Sequence, residues 1–159
     1  MKTNAKCNPE KRRSRRQTEK NMQSGGFEQR RDAIAPELDQ LTQEIIGACI
    51  EVHRELGPGL MEIMYKNAVS REFNLRGITF QKEVIMPVFY KGVRIGEGRL
   101  DLLVAGKVIV ELKTCESLTS VHRAQLICYL RLMKLDVGLL INFNVGVLAD
   151  GIKRVVIPR

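Results

Sequence analysis

The feature that most constrains the fold is an aliphatic run over residues 99–113 that three ionisable side chains interrupt. It reads R-L-D-L-L-V-A-G-K-V-I-V-E-L-K, with an aliphatic segment on each side of Ala105-Gly106. Two buried strands joined by a tight reversal have this pattern. Asp101, Glu111 and Lys113 stand inside these strands, where desolvating an unpaired charge costs several kcal/mol. Their placement therefore requires mutual pairing or a bound cation.

The length of the loop decides whether the two carboxylates share a face of this hairpin. A two-residue loop would send Asp101 and Glu111 to opposite faces of the sheet. A three-residue loop over 104–106, with its glycine in the left-handed conformation, changes the parity of the pairing. Asp101 then lies opposite Ile109, and Glu111 lies opposite Arg99.

The three-residue loop separates charged from aliphatic side chains. One face then gathers every charge and carries Arg99, Asp101, Leu103, Ile109, Glu111 and Lys113. The other face is wholly aliphatic and carries Leu100, Leu102, Val104, Val108, Val110 and Leu112. This separation favours the three-residue loop, and it brings two carboxylates and a lysine to one surface.

Two carboxylates and a lysine on one surface suit metal-assisted hydrolysis of a phosphodiester. Carboxylate oxygens are preferred ligands of hard cations such as Mg²⁺ or Mn²⁺. A neighbouring lysine can orient or deprotonate an attacking water, or stabilise charge on an attacked phosphate. The alternative is a buried ion cluster that only holds the sheet together, and the spacing alone leaves both readings open.

Composition predicts one soluble domain. The chain has 159 residues, of which 44% are hydrophobic, enough for a single core. No apolar run approaches the roughly 20 residues that span a bilayer, and the basic N-terminus lacks the apolar segment of a secretory signal. The four cysteines, Cys7, Cys49, Cys115 and Cys128, show no C-x-x-C pairing, which predicts reduced thiols in a cytoplasmic protein.

Residues 1–36 differ in character from the rest of the chain. They hold ten Lys and Arg against four Asp and Glu, include K-R-R-S-R-R, and contain few apolar residues. Such a segment cannot bury enough surface to become ordered, so we expect a basic disordered tail followed by a folded domain over 37–159. The tail could bind phosphates without sequence preference, or it could be a dispensable extension upstream of an alternative start at Met22.

Hydrophobic periodicity and turn residues predict the order of the elements. Helices are expected over 38–56, 60–76 and 120–135, and strands over 81–90, 93–101, 107–113, 137–143 and 152–157. The first three strands form an antiparallel meander, and Pro87 favours an edge position for the first of them. The strand after the last helix should lie parallel to the 107–113 strand.

Several polar residues on the helices are candidates for a site or for structural roles. Glu62 lies in the first turn of the second helix, where the helix dipole favours a carboxylate. Gln125 and Tyr129 are four residues apart and project from one face of the last helix. His53, near the end of the first helix, is better explained by capping or packing than by catalysis.

With these elements in order, the sequence resembles the PD-(D/E)XK nuclease superfamily and, within it, the small bacterial group called GxxExxY proteins. The name motif stands as Gly59-Leu60-Met61-Glu62-Ile63-Met64-Tyr65, and the D…ExK core as Asp101 with Glu111-Leu112-Lys113. Gln125-Ile127-Tyr129 lies within the Q-x-x-x-Y pattern of RecB-like members. The resemblance covers about 38–158, and Leu100 stands where the superfamily has proline.

The resemblance implies an α/β fold with a restriction-endonuclease-like core, a mixed sheet flanked by helices. It also implies a nuclease that depends on Mg²⁺ or Mn²⁺ and acts on nucleic acid, with DNA as the favoured substrate. The implied metal ligands are Asp101, Glu111, the backbone carbonyl of Leu112 and, directly or through water, Glu62. Lys113 would act on the attacking water, and Gln125 with Tyr129 would orient the site or contact the nucleic-acid backbone.

Two other classes of function stay open on the same scaffold. One is a nucleic-acid-binding module that no longer cuts, and the other is a protein-interaction domain, because fold does not fix function. The intact Asp, Glu and Lys set argues against both. No membrane partner is expected, while a homodimer or a protein partner stays open.

Overall fold

The computed structural model describes residues 34–157, and its elements follow the order expected from the sequence. The helices are α1 (Pro36–Leu56), α2 (Glu62–Leu75) and α3 (Ser120–Met133), with a short 3-10 helix over Leu148–Gly151. The strands are β1 (Phe80–Tyr90), β2 (Val93–Val104), β3 (Val108–Lys113), β4 (Val137–Asn142) and β5 (Ile152–Val156). The predicted tail lies, up to residue 33, outside the described residues.

The strands form one mixed sheet in the order β1-β2-β3-β4-β5. β1, β2 and β3 pair antiparallel, β4 runs parallel to β3, and β5 runs antiparallel to β4. The predicted meander and the parallel strand after α3 are therefore confirmed, as is the α/β fold class. Pro87 lies in β1 at the edge of the sheet, where a missing N–H is tolerated.

Helices cover both faces of the sheet. The α1/α2 cluster packs those helices on Leu102, Val110 and Leu112, and the α3 cluster packs Leu126 and Leu130 of α3 on the opposite face. Along α1, Ile45, Ala48, Cys49 and Val52 form the buried stripe. Ile50, expected at an apolar position of this helix, is 43% exposed because it is rotated about 100° from Cys49.

The predicted register of the β2–β3 hairpin is wrong by two residues. Ile109 pairs with Leu103 and not with Asp101, and the pairing ends at Leu102 with Val110. The loop has three residues as expected, but it spans 105–107 and not 104–106. A slip of two residues keeps every side chain on its own face, so the hydrophobic pattern could not detect it.

Leu100 is also misplaced in the sequence prediction. It was expected on the aliphatic face with Leu102, but it packs in the α3 cluster beside Leu103. Residues three apart lie on opposite faces of a regular strand, so β2 changes face between Leu100 and Leu103. On β1 the residue facing this break is Glu83, whose φ of 51° lies in the left-handed region.

No helix within residues 34–157 is both long enough and apolar enough to cross a lipid bilayer. The cysteines of the described residues, Cys49, Cys115 and Cys128, are free thiols. Burial raises the pKa of Cys49 to about 12, so this thiol is a packing group and not a nucleophile.

Candidate active site

The break in β2 brings a lysine of α2 onto two carboxylates. The Nζ atom of Lys66 lies 2.6 Å from Oδ1 of Asp101 and 2.5 Å from Oε1 of Glu83. Glu83 and Asp101 face each other on β1 and β2, because Lys82 pairs with Leu102 and the following pair is Val84 with Leu100. An ammonium thus bridges two strands at the place where their regular pairing is interrupted.

The charges of this cluster stabilise one another. Burial alone would lower the pKa of Lys66, but hydrogen bonds with Asp101 and Glu83 outweigh it and raise that pKa above its ordinary value. The hydrogen bond from Lys66, helped by the nearby Arg99, lowers the pKa of Glu83. Lys66 and Glu83 are therefore charged at neutral pH.

Where β2 and β3 separate, side-chain carboxylates accept hydrogen bonds from backbone N–H groups in place of the carbonyls of the partner strand. The backbone N–H of Leu112 donates to Oδ2 of Asp101 at 2.9 Å, and the backbone N–H of Asp101 donates to Oε1 of Glu111 at 3.3 Å. Both carboxylates thus satisfy buried backbone donors that would otherwise have no partner. The two acidic residues therefore lie next to each other at the point where β2 changes face.

Glu111 is the most perturbed carboxylate of the site. Only 4% of its surface is exposed, and burial together with the charge of Asp101 raises its pKa to about 7. Lys113 partly offsets the shift, since its Nζ lies 3.5 Å from Oε2 of Glu111. Asp101, Glu111 and Lys113 therefore form one connected group.

The donor set of this group is compatible with a hard divalent cation. Its two buried carboxylates lie close together, and burial followed by the charge of Asp101 raises the pKa of Glu111. Within the described residues, no group of three or more His, Cys, Asp or Glu is spaced to hold a metal ion. Two carboxylates with a backbone carbonyl and several waters are a ligand set typical of Mg²⁺.

Glu62 lies apart from this group. It is the first residue of α2, and among the described residues it makes no hydrogen bond or ion pair. It stands one helical turn before Lys66, so both project from the same side of the helix. Its position at the helix N-terminus fits the dipole role expected from the sequence.

Tyr65, the last residue of the G-x-x-E-x-x-Y motif, is a structural residue. It is fully buried, its ring stacks on Phe143 with centroids 4.4 Å apart, and its hydroxyl donates to the carbonyl of Gly57 at 2.5 Å. The same hydroxyl accepts the backbone N–H of Leu60 at 3.2 Å. Tyr65 therefore holds the turn that starts α2 in place.

Gln125 and Tyr129 form a pair on α3. Nε2 of Gln125 donates to the Tyr129 hydroxyl at 2.8 Å, and Gln125 is exposed. The Tyr129 ring lies over Gly98 of β2, where an added Cβ would come within 3.2 Å of Cε1. This contact places the pair beside β2, three residues before Asp101, but no hydrogen bond within residues 34–157 joins it to the carboxylates.

Three residues of this region are missing from the sequence prediction. Lys66 and Glu83 complete the charged cluster, and Asn142 at the end of β4 bonds to both backbone groups of Cys115, at 3.1 Å and 2.8 Å. Lys66 had a detectable signal, because it interrupts the buried stripe of α2. Glu83 had none, since its role depends on the register and on a left-handed backbone.

His53 has the packing role expected from the sequence. It is 7% exposed, its Nε2 donates to the carbonyl of Val145 at 2.9 Å, and its ring lies near Phe143. It contacts none of the charged residues described above.

Comparison with known proteins adds one finding. A family model described as the PD-(D/E)XK nuclease superfamily matches residues 39–155, which include all the candidate residues and every element of the fold except the first residues of α1 and the last residue of β5. No curated protein and no solved structure matches the chain.

Proposed function

The chain belongs to the PD-(D/E)XK nuclease superfamily, and from this membership we propose that it is a nuclease that needs Mg²⁺ or Mn²⁺ and cuts DNA. The observation that carries the proposal is the connected group of Asp101, Glu111 and Lys113 at the point where β2 and β3 separate. These are the residue types and the order of the superfamily's D…ExK motif. The finer resemblance to GxxExxY proteins stays a prediction.

The cation would be held by Asp101, Glu111 and the backbone carbonyl of Leu112. When bound, a divalent cation polarises the scissile phosphate and makes water a better nucleophile. Binding requires Glu111 in its ionised form, so the cation replaces the proton that the raised pKa retains near neutral pH. Lys113 would stabilise the charge that builds on the attacked phosphate and orient the attacking water.

The remaining candidate residues would act at the edge of the group formed by Asp101, Glu111 and Lys113. We assign to Glu62 a ligand role mediated by water, because it lies on the same side of α2 as Lys66 and has no other partner among the described residues. Gln125 and Tyr129 would contact the nucleic-acid backbone from α3, since Gln125 is exposed and Tyr129 packs beside β2. Free thiols fit a reducing compartment such as the bacterial cytoplasm.

Calorimetry with Mn²⁺ tests the site directly. The wild type should bind the ion, while Asp101→Asn and Glu111→Gln should lose binding and cleavage of single- and double-stranded DNA together. Glu44→Gln, which changes an exposed glutamate of α1, is the matched control and should keep both. Metal binding by the wild type without any cleavage would reject the nuclease assignment for these substrates, and no metal binding would reject the metal site.

Binding of DNA can be tested separately from cleavage. Residues 1–36 carry most of the net charge of +8, so affinity should fall steeply with salt and weaken when these residues are removed. Measurements in Ca²⁺ with Glu111→Gln would prevent cutting during the titration. Affinity that is unchanged by the truncation would discard the role of the tail.

A second candidate is a nucleic-acid-binding or protein-interaction module that does not cut. The observation in its favour is that the Asp101 carboxylate already bonds to Lys66 and to the Leu112 N–H, so the cluster satisfies itself without a metal. This candidate predicts a stable protein that does not bind Mn²⁺ and whose affinity for DNA, or for a protein partner, is unchanged in Glu111→Gln. The calorimetric comparison above separates the two.

A further inference from the structure

Lys66 occupies a carboxylate oxygen that the proposed cation needs. Its Nζ lies 2.6 Å from Oδ1 of Asp101, which leaves no room for water between them. Side-chain exposure is 9% for Lys66 and 12% for Asp101, so little solvent screens the pair. A divalent ion that binds Asp101 must therefore share this carboxylate with an ammonium or displace it.

Glu83 gives that ammonium a second acceptor outside the proposed metal site. Its Oε1 lies 2.5 Å from Lys66 Nζ, and its side chain is 36% exposed, so it forms the solvent side of the cluster. The φ of 51° at Glu83 is an energetically costly conformation for a residue other than glycine, and such strain persists only where the surroundings compensate it. In this conformation the Glu83 carboxylate pairs with Lys66 and with Arg99.

We propose that Lys66 is a built-in counter-cation that holds Asp101 when no divalent ion is bound and passes to Glu83 when one binds. This inference rests on the proposed metal site. It makes Lys66 a positioning residue that sets the affinity for the ion, and it gives Glu83 a role although Glu83 is not a ligand. The arrangement keeps the buried carboxylates neutralised in the metal-free protein, where an unpaired charge would be costly.

The test is a double-mutant cycle on Mn²⁺ affinity, measured by calorimetry without any substrate. Lys66→Met removes the competing charge and should tighten binding at least about tenfold, because a unit charge a few ångströms from a divalent ion opposes its binding strongly even at an effective dielectric constant of about 20. Lys82→Met removes the same charge from an exposed neighbour whose ammonium bonds to Asn67, and should change the affinity little.

The second arm of the cycle tests the transfer to Glu83. Glu83→Gln should weaken Mn²⁺ binding about tenfold, because Lys66 loses its charged alternative acceptor and stays on Asp101. Glu97→Gln, on the same β1–β2 hairpin and paired with Arg94, is the matched control. In the Lys66→Met background, Glu83→Gln should have little effect, since Glu83 acts only through Lys66.

The outcomes separate this inference from the proposed function. Wild type and Lys66→Met with equal affinity would overturn the counter-cation role and leave the metal site intact. An effect of Glu83→Gln that is the same with and without Lys66 would overturn the transfer. No binding by the wild type or by any variant would overturn both proposals. If Lys66→Met does not fold, the Mn²⁺ affinities of Glu83→Gln and Glu97→Gln still test the inference. Equal affinities of these two variants would overturn it.

Discussion

Asp101 and Glu111 are joined across the β2–β3 hairpin by a hydrogen bond from the backbone N–H of Asp101 to Oε1 of Glu111, 3.3 Å long. The bond lies beyond the last regular pair of the two strands, Leu102 with Val110. A buried carboxylate therefore both closes the hairpin and retains a proton near neutral pH. This double role has a measurable consequence for stability.

The free energy of unfolding should fall as the pH rises through the range in which Glu111 ionises. The pKa of Glu111 is raised from 4.5 to about 7, so between these values the folded protein keeps a proton that the unfolded chain has lost. A pKa shift of this size corresponds to a loss of about 3 kcal/mol in the free energy of unfolding. Urea unfolding in EDTA should show it between about pH 5 and pH 8 in the wild type and not in Glu111→Gln. Parallel curves for the two proteins would contradict the raised pKa.

Tyr65→Phe should destabilise the protein without affecting metal binding. The variant keeps the stacking on Phe143 but loses the hydroxyl that bonds to Gly57 and Leu60, at an expected cost of about 1–2 kcal/mol. Tyr90→Phe is the control, since Tyr90 is 61% exposed. Urea midpoints and Mn²⁺ affinity are the measurements. A loss of affinity at unchanged stability would place Tyr65 in the active site instead.

Asn142→Leu should be strongly destabilising. The side chain of Asn142 is 1% exposed and bonds to the backbone N–H and carbonyl of Cys115 and to the N–H of Asn144. Leucine has a similar size but leaves the N–H groups of Cys115 and Asn144 without their side-chain acceptor, which costs about 2–4 kcal/mol. Asn144→Leu removes one long, exposed hydrogen bond, from Nδ2 of Asn144 to the Cys115 carbonyl at 3.5 Å, and should cost less than about 0.5 kcal/mol. Equal unfolding midpoints for the two variants would show that this network does not stabilise the fold.

Gly151→Ala should destabilise the protein at the end of β4, where Gly151 packs against the backbone of Asn142. An added Cβ would lie 2.3 Å from the backbone oxygen of Asn142, a contact that only a backbone shift can relieve. We expect a loss of about 2–3 kcal/mol in unfolding free energy. Gly146→Ala, where a Cβ would meet nothing within 4 Å, is the control and should leave the midpoint unchanged. A wild-type midpoint for Gly151→Ala would mean that the β4 end tolerates displacement.

The order of the elements could be read from the sequence because it follows from local patterns. α3 begins where Thr119 accepts the N–H of His122, and α2 ends before Gly77, whose φ is 68°. Predicted element ends differ from the observed ones by a few residues, as at Met133, where α3 stops short of Leu135 because Lys134 takes the left-handed conformation. Capping and periodicity act within a few residues, so no tertiary contact is needed to see them.

In the candidate site, too, some features follow from local sequence patterns and others depend on the tertiary structure. The sequence by itself determined that Asp101 and Glu111 lie on two paired strands, because two aliphatic segments joined by a short loop form a hairpin. Only the tertiary structure decided the register, since a slip of two residues leaves every face unchanged. It alone brought Lys66 and Glu83 to Asp101, because that contact depends on how α2 packs and on a left-handed residue in β1, neither of which a local pattern encodes.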